Sequence, residues 1–298
     1  MDVSIIIINY NTFELTRRCI QSVIDKTTEI NYELILVDNA SNEKNPDEFL
    51  FLFPNINLIK SPVNLGFAGG NNLGISQAKG RVILLLNSDT ELINNAIKIC
   101  FDRLNSDNSI GIISSALYNY NESLQKQCNF QESIWRSGFE LLRLHKVLSK
   151  TARGRVLQGA YCEHIKPMYT DKVWGTFFMF RRDLLNGFPQ KKLHDDYFMY
   201  GEDVQWCYFV RNVLKMKILY YPEAKIYHLG GGSDFKEDKA KIQLQNRYKT
   251  LVAYHSPLYL IIFGWMKWLV QVIEEKKNAE PQEVSTLIWR IFIKKEIN

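Results

Sequence analysis

The sequence predicts an α/β protein whose sheet is mixed but mainly parallel and flanked by helices, with a C-terminal helical extension. Two uninterrupted apolar runs, residues 3–8 and 82–86, are typical of strands buried on both faces, as in a parallel sheet covered by helices. Connections of helical length separate such runs, so residues 1–115 alternate as βαβαβαβ. This alternation indicates a doubly wound sheet in the N-terminal part of the chain.

Length and composition are those of an ordinary globular protein, because 298 residues can bury one large core, or a core with an appendage. The net charge of +5 is modest, and without zinc-finger spacing or repeats it does not indicate a nucleic-acid partner. The N-terminus enters a strand at once, so we expect no secretory signal and a cytoplasmic protein. Five scattered cysteines without a CxxC pair predict free thiols; they are Cys19, Cys100, Cys128, Cys162 and Cys207.

The remaining elements follow from local patterns. Apolar residues at helical spacing predict a helix over 13–24, with Thr12 as its N-cap. An acidic Glu202-Asp203 pair begins a predicted helix that continues to about Val213. Further strands are predicted at 33–37, 55–60, 110–114, 173–181 and 217–221. Residues 64–75 lead into a predicted helix that ends at about Ala78, and a further helix is predicted at 94–104.

Three predicted strands end in polar residues. They are followed by Asn9-Tyr10-Asn11, by Asp38 and by Asn87-Ser88-Asp89. Since ligands of open α/β sheets bind outside the carboxyl ends of the strands, three polar ends on one edge indicate a binding crevice. The triplet at 87–89 can offer oxygens to a hard divalent cation that holds a diphosphate, although the same residues also favour an ordinary turn.

Two other polar segments each have two interpretations. The glycine-rich stretch 66–74 either lets the backbone approach a nucleotide closely or forms a flexible helix entry. The acids Glu202 and Asp203 either complement the helix dipole or project a general base into the crevice. His228, which three glycines follow, is a better candidate for metal or phosphate contact than a lone histidine.

Two segments are candidates for membrane contact. Residues 134–158 are basic and amphipathic, which suits a membrane surface or a phosphate-bearing acceptor, but an ordinary solvated helix is the favoured interpretation. Residues 258–273 are apolar and aromatic, slightly short for a span and interrupted by Lys267. A second amphipathic helix is predicted around residues 287–292. For this tail we favour in-plane membrane association or packing on the main domain over a transmembrane helix.

The ordered set of these motifs resembles a family-2 glycosyltransferase of the GT-A fold, close to bacterial rhamnosyltransferase-like members. Each piece alone is weakly specific, whereas the set in this order is strongly specific. The resemblance implies a catalytic domain over 1–235, with a nucleotide-binding half at 1–115 and an acceptor half at 116–235. It also implies a helical extension at 236–298, which is a candidate for membrane association. The matching pieces are residues 3–12, 34–42, 64–75, 82–92, 174–181, 198–211 and 228–233.

The resemblance also implies an activity: inverting transfer of a sugar from a dTDP- or UDP-sugar to a glycan or lipid-linked acceptor in cell-surface polysaccharide synthesis. It implies Mg²⁺ or Mn²⁺ as cofactor, held by Asp89 and His228, with Asp203 as general base beside Glu202. The implied acceptor residues are Trp174 and Gly175. The implied donor-binding residues are Asn9, Asn11, Asp38, Asn64, Gly66, Gly69, Asn87 and Ser88.

The sequence departs from the family pattern at two positions. Asn87 replaces the first acid of the DxD motif and removes one charge from the metal site, and Gln205 stands where an acid is frequent. A second hypothesis, from another class, is a non-catalytic nucleotide-sugar or glycan binding subunit of a polysaccharide assembly complex, which would keep Asp38 but would not need Asp203. A Rossmann dehydrogenase is disfavoured, because no GxGxxG follows the first strand.

Overall fold

The computed structural model describes residues 1–131, 133–144, 147–149, 152, 154, 163–230 and 239–275. The chain divides into two compact units. The first comprises residues 1–130 and 163–247, and the second comprises residues 131–162 and 248–298. The implied boundary near residue 235 differs from this division, since residues 131–162 group with the C-terminal segment.

The N-terminal half of the first unit is a parallel sheet with helical connections, as the apolar runs predict. β1 pairs in parallel with β2 on one side and with β4 on the other, and β2 pairs in parallel with β3. The elements are β1 (Val3–Asn9), α1 (Phe13–Lys26), β2 (Tyr32–Asp38), α2 (Glu48–Leu52), β3 (Asn57–Lys60), α3 (Gly66–Gln77) and β4 (Val82–Asn87).

The second half of this unit adds antiparallel strands and completes the mixed sheet. Its order is β3-β2-β1-β4-β9-β6-β10-β5, with β7 beside β6 and β8 beside β10. β9 inserts antiparallel between β4 and β6, so a late part of the chain closes the early parallel half. The elements are β5 (Thr90–Leu92), α4 (Ala96–Asn105), β6 (Ile110–Tyr118), β7 (Leu124–Gln125), β8 (Met168–Thr170), β9 (Phe177–Arg181), α6 (Glu202–Asn212) and β10 (Lys217–His228).

The predicted elements of this unit are present, with differences at their ends. Residues 173–176 were expected in a strand, but β9 begins only at Phe177. β10 runs on to His228, beyond the predicted end at Tyr221. Short elements such as α2, β5, β7 and β8 carry too few residues for a periodic pattern to predict them. Cys19, Cys100 and Cys207 are free thiols, as predicted, and these three and Cys128 are buried.

The core of the first unit lies where α1, α3 and α4 cover the central strands. Ile5, Ile6 and Ile7 are fully buried, which is why β1 reads as a continuous apolar run. α3 lies close to β1, since a Cβ atom added to Gly74 would lie 2.5 Å from Cγ2 of Ile6. Burial on both faces of the sheet therefore fixes the central strands between two helical layers.

The second unit contains α5 (Ile134–Leu141), the end of α7 (Lys239–Tyr254) and α8 (Pro257–Glu275). α5 and α8 pack together, and the Tyr259 hydroxyl accepts a hydrogen bond from the backbone N–H of Ile134. Trp135 and Trp265 are 88% and 63% exposed. Within the described ranges, no helix is both long and apolar enough to cross a membrane. The predicted helix around residues 287–292 and most basic residues of segment 134–158 lie outside those ranges.

The fold predicts a large difference between two isoleucines. Ile6→Ala removes a fully buried side chain and should lower the free energy of unfolding by about 2–5 kcal/mol. Ile24→Ala makes the same change at a 44% exposed site of α1 and should cost no more than about 0.5 kcal/mol. Urea denaturation of both variants measures the difference. Equal losses would contradict the placement of β1 at the centre of the sheet.

Candidate active site

A cavity of about 450 Å³ opens at the carboxyl ends of β1 and β4. This is the edge of the sheet at which the polar strand ends were expected to meet. Its wall combines residues from both halves of the first unit. The lining includes Tyr10, Thr12, Asn39, Asn64, Gly66, Phe67, Asn87, Ser88, Asp89, Trp174, Gly175, Tyr200, Glu202, Asp203, His228 and Gln243.

The polar residue that follows β2 at the cavity wall is Asn39, which the sequence analysis missed. Its side-chain amide donates to Oδ1 of Asn64 at 2.9 Å and to the backbone oxygen of Gly66 at 3.1 Å. Its Oδ1 accepts from the backbone N–H of Leu65 at 2.9 Å. Asn39 therefore fastens the loop before α3 to the end of β2, and both Asn64 and Gly66 line the cavity.

Asp38 is not among the residues that line the cavity, and its contact with a donor stays a prediction. Its carboxylate accepts from Nδ2 of Asn9 at 2.8 Å and from the backbone N–H of Ser41 at 3.2 Å. Asn9 is buried. Oδ1 of Asn11 accepts a hydrogen bond from the backbone N–H of Asn42 at 2.9 Å. The side chains of Asn9, Asn11 and Asp38 thus shape the loops behind the wall rather than the wall itself.

Gly66 is required by its conformation and by a close approach. Its φ is +70°, in the left-handed region that favours glycine, and an added Cβ would lie 2.1 Å from the backbone oxygen of Phe198. The backbone N–H of Phe67 donates to that same oxygen at 3.0 Å. The start of α3 is therefore joined to the segment before Glu202. Gly69, the other predicted glycine, is not among the lining residues.

The polar triplet after β4 meets His228 across the cavity. Oδ2 of Asp89 lies 3.5 Å from Nε2 of His228. Two backbone contacts hold the pair together. Thr90 pairs with His228 in the β5–β10 ladder, and the backbone N–H of Leu229 donates to the backbone oxygen of Asp89 at 3.0 Å. The hydroxyl of Ser88 lies 3.2 Å from that of Thr12.

These residues fit a divalent cation that is also bound by a ligand's oxygens. Asp89 and His228 supply a carboxylate oxygen and an imidazole nitrogen, both of which bind first-row metals such as Mn²⁺. Oδ1 of Asn87 is buried without a hydrogen-bond partner among the described residues, which leaves a third oxygen in the same turn. No group of three or more His, Cys, Asp or Glu side chains around a possible metal was found in the described part of the chain. A bound cation would therefore need further ligands from its substrate.

Both acids at the start of α6 line the cavity; Glu202 is buried and Asp203 is half-buried. Burial, with the adjacent Asp203 charge, raises the pKa of Glu202 from 4.5 to about 8. Burial also raises the pKa of Asp203, but N–H groups of Gly175 and Val204 and the charge of Lys172 oppose this rise. The N–H donors lie 3.1 and 2.8 Å from the two Asp203 oxygens. The raised pKa of Glu202 favours its protonated form at neutral pH, whereas the N–H donors and the Lys172 charge favour the ionised form of Asp203.

Trp174 and Gly175 flank these acids on the cavity wall. The Trp174 ring is 38% exposed and packs edge-on against His228, with ring centroids 6.3 Å apart. An added Cβ on Gly175 would lie 2.9 Å from the Phe67 ring, so only glycine fits between that ring and Asp203. Both residues are thus placed where a substrate of the cavity could contact them.

Several other residues were not anticipated at the site, and Gln205 lies outside it. Tyr10, Phe67 and Tyr200 lie in segments that the sequence pattern singles out, but it assigns them no role of their own. Gln243 lies in a segment with no recognisable pattern. Gln205 is buried and donates to Oδ2 of Asp196 at 2.7 Å, so this departure from the family pattern is not at the cavity wall.

Comparisons with known proteins agree with this architecture. Agl10, a hexosyltransferase of low-salt glycan biosynthesis from Haloferax volcanii, is 25% identical over 296 residues, covering 93% of this chain and 86% of Agl10. Glycosyltransferase GlyG of Streptococcus pneumoniae serotype 4 is 28% identical over 124 residues, covering 41% of this chain and only 40% of GlyG. The chain thus matches less than half the length of GlyG.

A solved structure shows the same fold. The crystal structure of GalNAc-T7 with UDP, GalNAc and Mn²⁺ superposes with a TM-score of 0.62 at 16% identity, covering 98% of this chain and 54% of GalNAc-T7. This similarity confirms the GT-A fold that the sequence predicts. The sequence profile described as "Glycosyl transferase family 2" matches residues 4–187, more than half of the chain. The chain therefore belongs to glycosyl transferase family 2.

Proposed function

We propose that this protein transfers a sugar, with inversion, from a nucleotide diphosphate sugar to a glycan or lipid-linked acceptor in polysaccharide synthesis. The observation that carries the proposal is the meeting of two pairs on one cavity wall. Asp89 lies 3.5 Å from His228, and Glu202 and Asp203 line the same cavity. We assign the first pair to a cation and a diphosphate, and the second pair to proton transfer. Family membership supports the reaction class.

The donor would bind along the ends of β1, β2 and β4. Asn39, Asn64 and the backbone at Gly66 offer polar groups there, with Tyr10 beside them. UDP and dTDP are the nucleotides we propose, and the UDP named for the structure of GalNAc-T7 supports this class. Asp38 would act on the donor through the loop that it stabilises, together with Asn9 and Asn11.

Asp89 and His228 would hold Mg²⁺ or Mn²⁺ together with the donor's diphosphate. When bound, the cation would neutralise the charge that develops on the leaving diphosphate. Asn87 supplies an amide oxygen where the family pattern has an acid, so this site carries one negative charge less. The Mn²⁺ named for the structure of GalNAc-T7 supports a divalent cation as cofactor.

Asp203 would act as the general base. An acceptor hydroxyl attacks the anomeric carbon, the bond from that carbon to the diphosphate oxygen breaks, and the hydroxyl proton passes to the Asp203 carboxylate. The N–H groups of Gly175 and Val204 orient the carboxylate, and the protonated Glu202 beside it adds no second negative charge. Trp174 would offer an apolar face to the acceptor sugar.

A hexosyl or rhamnosyl donor is the finer proposal, supported by the hexosyltransferase name of Agl10 and by the motif set. We further propose a cytoplasmic enzyme bound to the inner face of the membrane. The exposed tryptophans Trp135 and Trp265 of the second unit support interfacial binding.

The alternative is a binding subunit that holds nucleotide sugars or glycans without transfer. The reduced charge at Asn87 favours it, because weaker metal binding would limit catalysis. The buried carboxyl group of Glu202, beside the half-buried carboxyl group of Asp203, disfavours it, because removing such groups from water is costly and binding alone does not require it.

The first prediction tests the base. Asp203→Asn keeps the size of the side chain but cannot accept the proton, so transfer should fall about 10²–10⁴-fold. Affinity for the donor with Mn²⁺ should stay within a few-fold of the wild type, whereas Asp196→Asn, an exposed isosteric control, should retain turnover. Product formation at saturating substrate concentrations measures the loss of transfer, and calorimetry with the donor measures its affinity. Near-normal turnover of Asp203→Asn would remove Asp203 as the base.

The second prediction tests the buried proton on Glu202. A carboxyl whose pKa is raised by folding contributes stability below its unfolded pKa, near 4.5, and loses that contribution as the pH rises towards about 8. Glu202→Gln does not have this loss. The melting temperature of the variant minus that of the wild type should therefore increase as the pH rises from 5 to 9. Glu48→Gln, at an exposed site on α2, should show no such trend. A pH-independent difference for Glu202→Gln would refute the shift.

The third prediction tests the metal pair. Asp89→Ala removes the carboxylate ligand and should abolish the Mn²⁺-dependent part of UDP or dTDP binding without unfolding the sheet. Asp25→Ala, on the exposed face of α1, is the matched control and should bind normally. Calorimetry with and without Mn²⁺ measures this. Unchanged Mn²⁺-dependent affinity in Asp89→Ala would exclude Asp89 as a ligand.

A further inference from the structure

Gln125, at the end of β7, contacts both the backbone and the ring of His228. We propose that Gln125 is a positioning residue that fixes the tautomer of His228, so that Nδ1 carries the proton and Nε2 presents its lone pair to the cation. This inference rests on the proposed metal pair of Asp89 and His228.

The hydrogen bonds of Gln125 determine which end of its amide faces the ring. Its Nε2 donates to the backbone oxygen of His228 at 2.8 Å and to Oδ1 of Asn119 at 2.6 Å. Its Oε1 lies 2.7 Å from Nδ1 of His228. One side chain therefore holds the backbone and the imidazole of the same residue.

The alternative orientation of the amide is excluded by chemistry. Amide oxygen and nitrogen are told apart by their hydrogen-bond partners, and a backbone carbonyl can only accept. The end of Gln125 that faces the His228 carbonyl must therefore be the NH₂ group. The other end is the carbonyl oxygen, which also only accepts, so Nδ1 of His228 must be the donor.

The consequence lies on the other side of the ring. A neutral imidazole carries one proton, so protonation at Nδ1 leaves the lone pair on Nε2. Nε2 is 3.5 Å from Oδ2 of Asp89. Adjacent ligands of an octahedral ion with bonds of about 2.1 Å are separated by about 3 Å, so one cation can lie within reach of both atoms. Outer hydrogen bonds of this kind commonly orient metal-binding histidines.

The sheet keeps Gln125 and His228 in register. Gln125 pairs with Leu117 of β6, and β6 pairs in parallel with β10, which ends at His228. The Trp174 ring packs edge-on against the imidazole and restricts its rotation. The hydrogen bond to Nδ1 is thus a property of the folded strands and forms before any ligand arrives.

The test uses two substitutions at one position and a matched control. Gln125→Met removes both the acceptor and the donors of the amide, whereas Gln125→Glu removes the donors but keeps an acceptor for Nδ1. Gln21→Met makes the first change at an exposed site on α1. Long-range ¹H–¹⁵N correlation spectra of histidine-labelled, metal-free protein at pH 8.5 report the tautomer, with the His228 signal assigned by its loss in His228→Ala. Calorimetry of Mn²⁺ in the presence of UDP reports metal affinity.

We expect wild type, Gln21→Met and Gln125→Glu to protonate His228 at Nδ1. Gln125→Met should lose this preference, and its Mn²⁺ affinity should fall about 10–100-fold. Protonation at Nε2 in the wild type would overturn the inference, as would a Gln125→Met variant with unchanged tautomer and affinity. If Gln125→Met does not fold, the wild type and Gln125→Glu decide. Protonation of His228 at Nδ1 in both, with Mn²⁺ affinity kept in Gln125→Glu, would support the inference, and protonation at Nε2 in the wild type would overturn it.

A separate outcome distinguishes this inference from the proposed function. If the wild type bound no Mn²⁺ with UDP, the metal pair itself would fail, and the role of Gln125 in metal binding would fail with it. If the wild type bound Mn²⁺ and Asp89→Ala did not, while Gln125→Met bound normally, only the role of Gln125 would be refuted.

Discussion

The parallel pairing of β1 with β4 is the constraint on which the site depends. Ile8 of β1 lies opposite Asn87 of β4, and Asn9 lies opposite Asp38 of β2. Because both faces of these strands are packed, a shift by one residue would move each strand end by about 3.3 Å and turn every side chain to the opposite face, where it would not fit. The register therefore brings the polar residues after three strands to one edge, where the cavity opens.

The sequence predicted the strands of this sheet well, because burial on both faces requires long apolar runs. It could not predict that β9 inserts antiparallel next to β4, since that pairing joins residues far apart in the chain. Nor could it predict that residues 173–176 lie outside β9. In this segment the backbone oxygen of Thr176 accepts a hydrogen bond from the backbone N–H of Asn87. This departure places the Gly175 N–H beside Asp203, a contact with no sequence signal.

The site residues show a similar division. Four residues of the cavity lie near the end of a strand or at the start of a helix, features that residue patterns indicate; they are Asp89, His228, Glu202 and Asp203. After β2, the side chain of Asn39 reaches the cavity wall. The side chain of its neighbour Asp38 lies behind the wall and accepts hydrogen bonds from Asn9 and Ser41. Residue type favoured the carboxylate, but neighbouring residues at a strand end point in different directions, and only the fold decides which one faces the cavity.

The most direct test of the account is whether this cavity binds a nucleotide diphosphate sugar with a divalent cation. Calorimetry of the full chain against UDP-, dTDP- and GDP-sugars, each with and without Mn²⁺, measures it. The account predicts that at least one UDP- or dTDP-sugar binds and that Mn²⁺ strengthens its binding. Absence of binding by every donor in both conditions would contradict it.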